Sequence, residues 1–189
     1  WSSVLASGCP PERMHLAAAF RHFARATAFA AAKNLAQARA ARQAFLEDIA
    51  KIPSETPVGV LNTAGQMFAV AKPLLDGRIA AAEGNPSAAI EHYRAAVAAE
   101  DRLAYDEPPT WYYPVRETLG AALLADGKPA DAERVFRDDL KYNPKNGRSL
   151  YGLWKAIDAQ GRTADATRAA AEFRRVWAVA DTPLTLSIF

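Results

Sequence analysis

The sequence predicts an all-α protein built of paired helices, and three observations lead to that prediction. Alanine, the strongest helix former, accounts for 43 of the 189 residues. Apolar residues recur at steps of three and four along most of the chain, whereas no long alternating pattern typical of strands occurs. Short turns containing Gly, Asn or Pro separate these periodic segments. Together these features exclude a β-sandwich or a β-barrel.

The periodic segments predict eight helices in chain order. They cover residues 12–32, 35–52, 61–83, 87–103, 115–125, 129–142, 148–160 and 163–179. Pro10 and Pro11 suit the start of the first helix, because proline is tolerated in a first turn. Pro73 predicts a kink or a late start in the third helix. Residues 53–57 form a proline-bounded break.

Residues 105–114, called the aromatic segment below, differ from the rest of the chain. They read Tyr-Asp-Glu-Pro-Pro-Thr-Trp-Tyr-Tyr-Pro, with three prolines and four aromatic residues in ten positions. The prolines prevent an uninterrupted helix. The sequence therefore predicts an irregular insertion between two helical parts.

An internal repeat has a period of 34 residues. Gly127 and Gly161 are separated by that distance, and Ala132 and Ala166 follow each glycine at the same offset. Gly84 opens a third copy that precedes Gly127 by one period plus nine residues, and these extra residues coincide with the aromatic segment. Residues 33–38 are a degenerate fourth copy. A fixed period of this size is typical of helical repeat proteins.

This pattern resembles the tetratricopeptide repeat family, whose period is also 34 residues. The best unit, residues 113–146, has the family's characteristic residue types at Leu119, Gly120, Gly127, Ala132, Phe136 and Pro144. The next unit departs from the pattern twice. Trp154 stands where a small residue is expected, and Ala170 takes the position of the large aromatic residue. The resemblance implies a right-handed solenoid of about four antiparallel helix pairs.

Residues 105–117 also look like a stretch near the C-terminus of a group of longer bacterial tetratricopeptide proteins. That resemblance implies the C-terminal part of a longer protein and an all-helical scaffold, but it supplies no reaction. The expected organisation is a degenerate N-terminal region over 1–57, repeats over 58–180 and an extended tail over 181–189.

The resemblance implies binding of an extended peptide or a partner helix on the concave face, formed by the first helix of each pair. Aligned positions on that face are Arg78, Glu117, Leu124, Arg148, Tyr151, Lys155 and Asp158. Arginine and lysine among them favour a carboxylate or an acidic segment as ligand. An ordinary solvated face is the alternative.

The aromatic segment offers a second candidate site. Trp111, Tyr112 and Tyr113, together with Arg116, could form an amphipathic pocket. Aromatic residues at a repeat junction also serve simply to fill space, and that alternative stays open.

Enzymatic motifs are absent from the sequence: it has no Gly-x-Ser-x-Gly, phosphate-binding loop or dinucleotide fingerprint. A net charge of +2 gives no basic footprint for nucleic acid. A metal site formed by Cys9, His15 and His22 is not favoured. The two histidines lie about two helical turns apart, too far to bind one ion without a third ligand such as Cys9. We therefore expect no cofactor.

The primary hypothesis is a non-catalytic scaffold that binds a protein or peptide, without membrane insertion. One alternative is a ligand- or metal-handling protein whose active part lies upstream of Trp1. Another is an oligomerisation module that associates through the apolar tail, although the tail is also suited to folding back over the last helix pair. The compartment, cytoplasmic or periplasmic, is left open.

Overall fold

The computed structural model of the protein describes residues 1–11 and 13–186. The fold is all-helical, with 66% of the residues in helices. The helices are α1 (Ser2–Leu5), α2 (His15–Ala31), α3 (Leu35–Ile49), α4 (Ala64–Ala82), α5 (Pro86–Glu100), α6 (Val115–Ala125), α7 (Pro129–Tyr142), α8 (Gly147–Asp158) and α9 (Thr163–Trp177). One two-stranded antiparallel ladder pairs β1 (Pro57–Val58) with β2 (Asn62–Thr63).

The eight predicted helices are present as α2 to α9, and most of their ends shift by a few residues. Two elements were not predicted, the single turn α1 and the ladder β1–β2. Helix α4 begins at Ala64 rather than near residue 61, because Thr63 and Gln66 form a reciprocal capping box there. The helix then continues through Pro73.

The chain forms two compact units, a first unit over 1–113 and a second unit over 114–189. In the first unit α2 packs on α3 and α4 on α5, and α4 also contacts α2 and α3. In the second unit α6 packs on α7 and α8 on α9, and α8 also contacts α6 and α7. Within each unit, helix hairpins therefore pack on the next hairpin in sequence, as in a helical repeat.

Equivalent turns join the helices of each hairpin. Gly84, Gly127 and Gly161 have left-handed backbone with φ of 77°, 70° and 72°. Lys33 holds the same position in the first hairpin with φ of 57°, which agrees with a degenerate fourth copy. The alanine five residues after each turn residue is buried in every hairpin: Ala38, Ala89, Ala132 and Ala166.

The cores of the two units are filled differently. The first unit has an aromatic core in which Phe23 contacts Phe45 and Trp111, with ring centroids 5.9 Å apart in both pairs. In the second unit the fully buried Phe136 lies against Gly120 and Gly152. A methyl group at either glycine would collide with the ring, so these positions must stay small.

Candidate functional site

The residues predicted for ligand binding lie in both units. Arg78, Trp111, Tyr112 and Tyr113 belong to the first unit, and Arg116, Glu117, Arg148, Tyr151 and Lys155 belong to the second. The pocket expected between the aromatic residues and Arg116 involves both units and stays a prediction.

In the first unit Arg78 lies among tyrosine side chains. Its Nη2 donates a hydrogen bond of 2.9 Å to the Tyr113 hydroxyl, and its Nε is buried without a hydrogen-bond partner. The rings of Tyr112 and Tyr113 contact each other edge to face at 4.8 Å. Tyr112 is 73% exposed, so this group of side chains reaches the protein surface.

Local sequence explains how Arg78 is placed there. Gly77 precedes it on α4, and a Cβ at that position would collide with the Tyr93 ring. The glycine therefore lets α5 bring Tyr93 close to α4. Burial raises the pKa of Tyr93 to about 12, so its hydroxyl stays neutral near pH 7.

The aromatic segment is attached to the β1–β2 loop by polar contacts, some of which are partly buried. Asn62, 2% exposed, donates to the Ala104 carbonyl and to the Thr110 hydroxyl, both at 2.9 Å, and accepts from the Ala104 amide at 2.8 Å. The Asp106 carboxylate accepts from the Val60 amide at 2.9 Å. Sequence reasoning missed this attachment, because the partners lie more than 40 positions apart.

Trp111 and Tyr112 are neighbours with different environments. Trp111 is 4% exposed and packs into the aromatic core, which agrees with the space-filling alternative for this residue. Its indole Nε1 is nevertheless buried without a hydrogen-bond partner. Buried indole N–H groups usually find an acceptor, so the unpaired indole donor of Trp111 is unusual, as is the unpaired Nε of Arg78.

The second unit contains an open groove of about 540 Å³ along helices α6 and α8. Its lining residues are Ala121, Leu124, Ala125, Lys155, Asp158, Ala159 and Leu186. Three of them, Leu124, Lys155 and Asp158, are concave-face positions from the sequence alignment. Leu186 belongs to the tail, so the tail of this chain lies against the groove.

Lys155 and Tyr151 belong to an aromatic and cationic cluster on α8. The Lys155 ammonium lies 4.0 Å from the centroid of the Trp154 ring, a cation–π arrangement. The Tyr151 ring contacts Trp154 at 5.7 Å and Phe173 at 5.2 Å. The cluster fixes the direction of the Lys155 side chain next to the groove.

Glu117 and Arg148 form an ion pair with each other. Glu117 is 2% exposed and also accepts from the Asn146 amide at 2.8 Å. Burial raises the pKa of Glu117, against the opposing effects of Asn146 and Arg148. Asn146 also donates to the buried Asp139 at 3.0 Å, so these side chains form a polar network that connects α6, α7 and α8.

Arg116 lies in the second unit over the ring of Tyr142, 5.3 Å from its centroid. Of the residues considered for a metal site, Cys9 is exposed and His22 contacts the Asp48 carboxylate at 3.0 Å. Within residues 1–11 and 13–186, no group of three His, Cys, Asp or Glu side chains is arranged to hold a metal ion.

Sequence reasoning also missed a depression of about 520 Å³ in the first unit. It lies between α3 and α4 and is lined mainly by apolar side chains, among them Leu46, Ile49 and Phe68. The helical pattern places these residues on buried faces, and nothing in that pattern distinguishes a depression from a filled core.

Comparison of the chain with protein-family models gives no match. Comparison with curated proteins likewise gives no match. In the described part of the chain, no helix is both long and apolar enough to cross a membrane. The geometry of the two units is therefore the basis for assigning a function.

Proposed function

We propose that this protein is a non-catalytic scaffold of tetratricopeptide-like hairpins, arranged as a right-handed solenoid, that binds an extended peptide or protein segment. The observation that carries the proposal is the groove on α6 and α8, where the tail residue Leu186 lies beside Leu124 and Lys155. Both helices are the first helix of their hairpin. The family that the sequence resembles uses this surface for ligands.

The chemistry of the groove favours a peptide of mixed character. Leu124 and the alanines provide apolar contact area, and Lys155 and Asp158 provide one charge of each sign. A peptide with an apolar residue flanked by polar ones would bury the apolar surface and keep its charged groups solvated. The groove does not favour a uniformly acidic partner, since it contains a carboxylate.

A selection of random peptides displayed on phage, with the full chain immobilised, tests this function. We expect enriched peptides that bind the chain and that bind a Lys155→Glu variant about tenfold more weakly, a loss typical for one charged contact. Lys141→Glu is the matched control, because Lys141 is an exposed lysine on α7 that does not line the groove.

Two outcomes would contradict the proposal. One is a selection without enrichment over an empty surface. The other is enrichment of peptides whose affinity is the same for the native chain and both variants.

A further inference from the structure

We propose that Arg78 and the tyrosines around it form a binding site for a carboxylate group carried on an aromatic or apolar body. This inference rests on the proposed binding function and names the chemistry of one ligand group. It concerns the first unit, whereas the groove described above lies in the second. Three observations lead to it.

The first observation is the absence of a counter-charge. None of the described Asp or Glu side chains forms an ion pair with Arg78, and its one hydrogen bond within the described chain goes to the Tyr113 hydroxyl. The side chains around the guanidinium are the phenols of Tyr113, Tyr93 and Tyr112 rather than carboxylates, so no anion of the described chain compensates the cation. The guanidinium is only partly exposed, and holding a cation in such a position without an anion is unfavourable.

The second observation is a pair of buried donors without acceptors. The Nε of Arg78 and the Nε1 of Trp111 both lack a hydrogen-bond partner. The Trp111 ring lies 5.6 Å from Tyr112 and 6.1 Å from Tyr113, so both donors belong to the same group of side chains. Both atoms have almost no solvent-exposed surface, so they mark an unusual polar environment around Arg78 and are not themselves the atoms that a ligand would contact.

The third observation is the shape of the site. A guanidinium presents its donors in one plane, which matches the two oxygens of a carboxylate. The exposed ring of Tyr112 provides a flat apolar surface at the edge. A carboxylate attached to an aromatic or apolar body would pair with the exposed part of the guanidinium and cover that ring at the same time.

The polypeptide holds this arrangement in place. Asn62 and Asp106 attach the aromatic segment to the β1–β2 loop, and Gly77 allows Tyr93 to approach α4. Arg78 itself is partly exposed, so a small ligand can reach the guanidinium from solvent. The side chains are therefore positioned before the ligand arrives, which lowers the entropic cost of binding.

An NMR titration of the full chain tests the site with three probes. Benzoate is the carboxylate, benzamide is its neutral counterpart, and inorganic phosphate is the alternative anion. We expect benzoate to shift the indole signal of Trp111, assigned with a Trp111→Phe variant, in a saturable manner. Benzamide should produce no saturable shift, and phosphate should bind more weakly than benzoate.

Variants localise the binding. Arg78→Met should weaken benzoate binding at least about tenfold, because it removes a charge-assisted contact. Arg94→Met is the matched control on the exposed surface of α5 and should change the affinity less than about twofold. If circular dichroism shows that Arg78→Met is unfolded, Arg78→Lys replaces it. That variant keeps the charge, loses the planar donors and should also bind benzoate more weakly.

Several results would overturn the inference. They are the absence of saturable benzoate binding, equal binding by the native chain and the Arg78 variant, and a preference for phosphate or benzamide. A failure here together with a successful peptide selection on the second unit would reject this site and leave the proposed function intact.

Discussion

At the scale of single residues, the left-handed turn position shows how a repeat tolerates variation. Lys33 is the one non-glycine residue with positive φ among the described residues. Its amide donates to the Ala30 carbonyl and the Asn34 amide to the Phe29 carbonyl, the same pattern as Gly84 and Asn85 in the next hairpin. The hydrogen bonds of the turn therefore persist although the residue is not suited to the conformation.

We expect Lys33→Gly to stabilise the protein by about 0.5–1 kcal/mol, because glycine adopts left-handed backbone without a steric penalty. Part of the gain is lost to the greater freedom of glycine in the unfolded chain. Chemical denaturation measures the difference in free energy of unfolding. Gly84→Ala is the reciprocal variant and should destabilise by a similar amount, and an unchanged midpoint in both variants would contradict the argument.

Another residue-scale feature is the exchange of large and small side chains between repeats. Gly77 with Tyr93, and Gly120 with Phe136, combine a small residue with a large one sixteen positions later. In the last hairpin the order is reversed, with Trp154 followed by Ala170. The two departures from the pattern of the other hairpins are therefore opposite in size, and Trp154 stacks on Phe173 with centroids 6.0 Å apart.

Gly120→Ala should destabilise the protein by about 1–3 kcal/mol, the usual cost of overpacking. The added Cβ would lie 2.5 Å from the Phe136 ring, and this collision outweighs the helix propensity gained from alanine. Denaturant unfolding measures the change. Gly8→Ala is the control, since nothing lies within 4 Å of that position. Phe136→Leu in the Gly120→Ala background should recover part of the loss, and a stabilised Gly120→Ala variant would refute the close packing.

At the scale of secondary-structure elements, the same two positions connect neighbouring hairpins in both units. In the first unit Arg39 of α3 pairs with Glu83 at the end of α4. In the second unit Glu133 of α7 accepts from Gln160 at the end of α8 at 2.7 Å. In each pair, one residue lies six positions after the turn residue of its hairpin, and the other lies one position before the turn residue of the next hairpin. The earlier residue is the donor in the first unit and the acceptor in the second.

Glu133 has more side-chain hydrogen-bond partners than the other residues of these pairs, and it makes stability depend on pH. It also accepts from Arg137 and Arg162, each at 2.7 Å. Burial alone would raise the pKa of Glu133, but the hydrogen bonds it accepts outweigh that effect, and its pKa lies below the usual value. A carboxyl with a lowered folded pKa stabilises the protein above its unfolded pKa of about 4.3. This stabilisation is lost as the pH falls through the folded pKa.

Glu133→Gln should therefore reduce the free energy of unfolding by about 1–2 kcal/mol at neutral pH, the range for a charged hydrogen bond with partly exposed partners. The difference from the native chain should shrink as the pH falls below about 4.3. Thermal unfolding at a series of pH values measures it. Asp138→Asn, at an exposed pair with Lys141, is the control and should show almost no difference, whereas a constant difference across the series would contradict the assignment.

At the scale of the whole molecule, the tail is the segment whose role matters most for the proposed function. The Trp177 indole donates to the Thr182 carbonyl at 2.8 Å, and Leu186 lines the groove. Within the second unit Leu186 therefore lies against the chain's own helices α6 and α8. Self-capping of the last helix pair by the tail stays a prediction. Association with a second chain through the tail remains the competing hypothesis.

A chain that ends at Asp181 should distinguish these roles. With self-capping, we expect the truncated chain to lose about 1–2 kcal/mol of stability, the value of one buried apolar side chain. Peptides selected on the groove should then bind more tightly, because Leu186 no longer competes with them. Light scattering should show both chains as monomers, apart from the mass of the eight residues removed. A full-length oligomer that becomes monomeric after truncation would instead indicate an oligomerisation module.

Sequence alone determined the helical class, the positions of the turns and the period of the repeat. These properties are local, since they depend on alanine content, apolar spacing and turn residues within one hairpin. The buried alanines after each turn, such as Ala132 and Ala166, confirm that reasoning. Predicted helix ends differ by a few residues, because caps such as Thr63 and Gln66 decide where a helix begins.

Only the tertiary structure decided which side chains meet. It showed that Trp111 is buried in the core whereas its neighbour Tyr112 is exposed. It also showed that Arg78 donates a hydrogen bond to Tyr113, which lies 35 positions later in the sequence. It also showed that Glu117 and Arg148 pair with each other, whereas Leu124 and Lys155 line a groove. The physical reason is that hydrogen bonds, ion pairs and burial depend on distances between remote segments, which a local pattern does not contain.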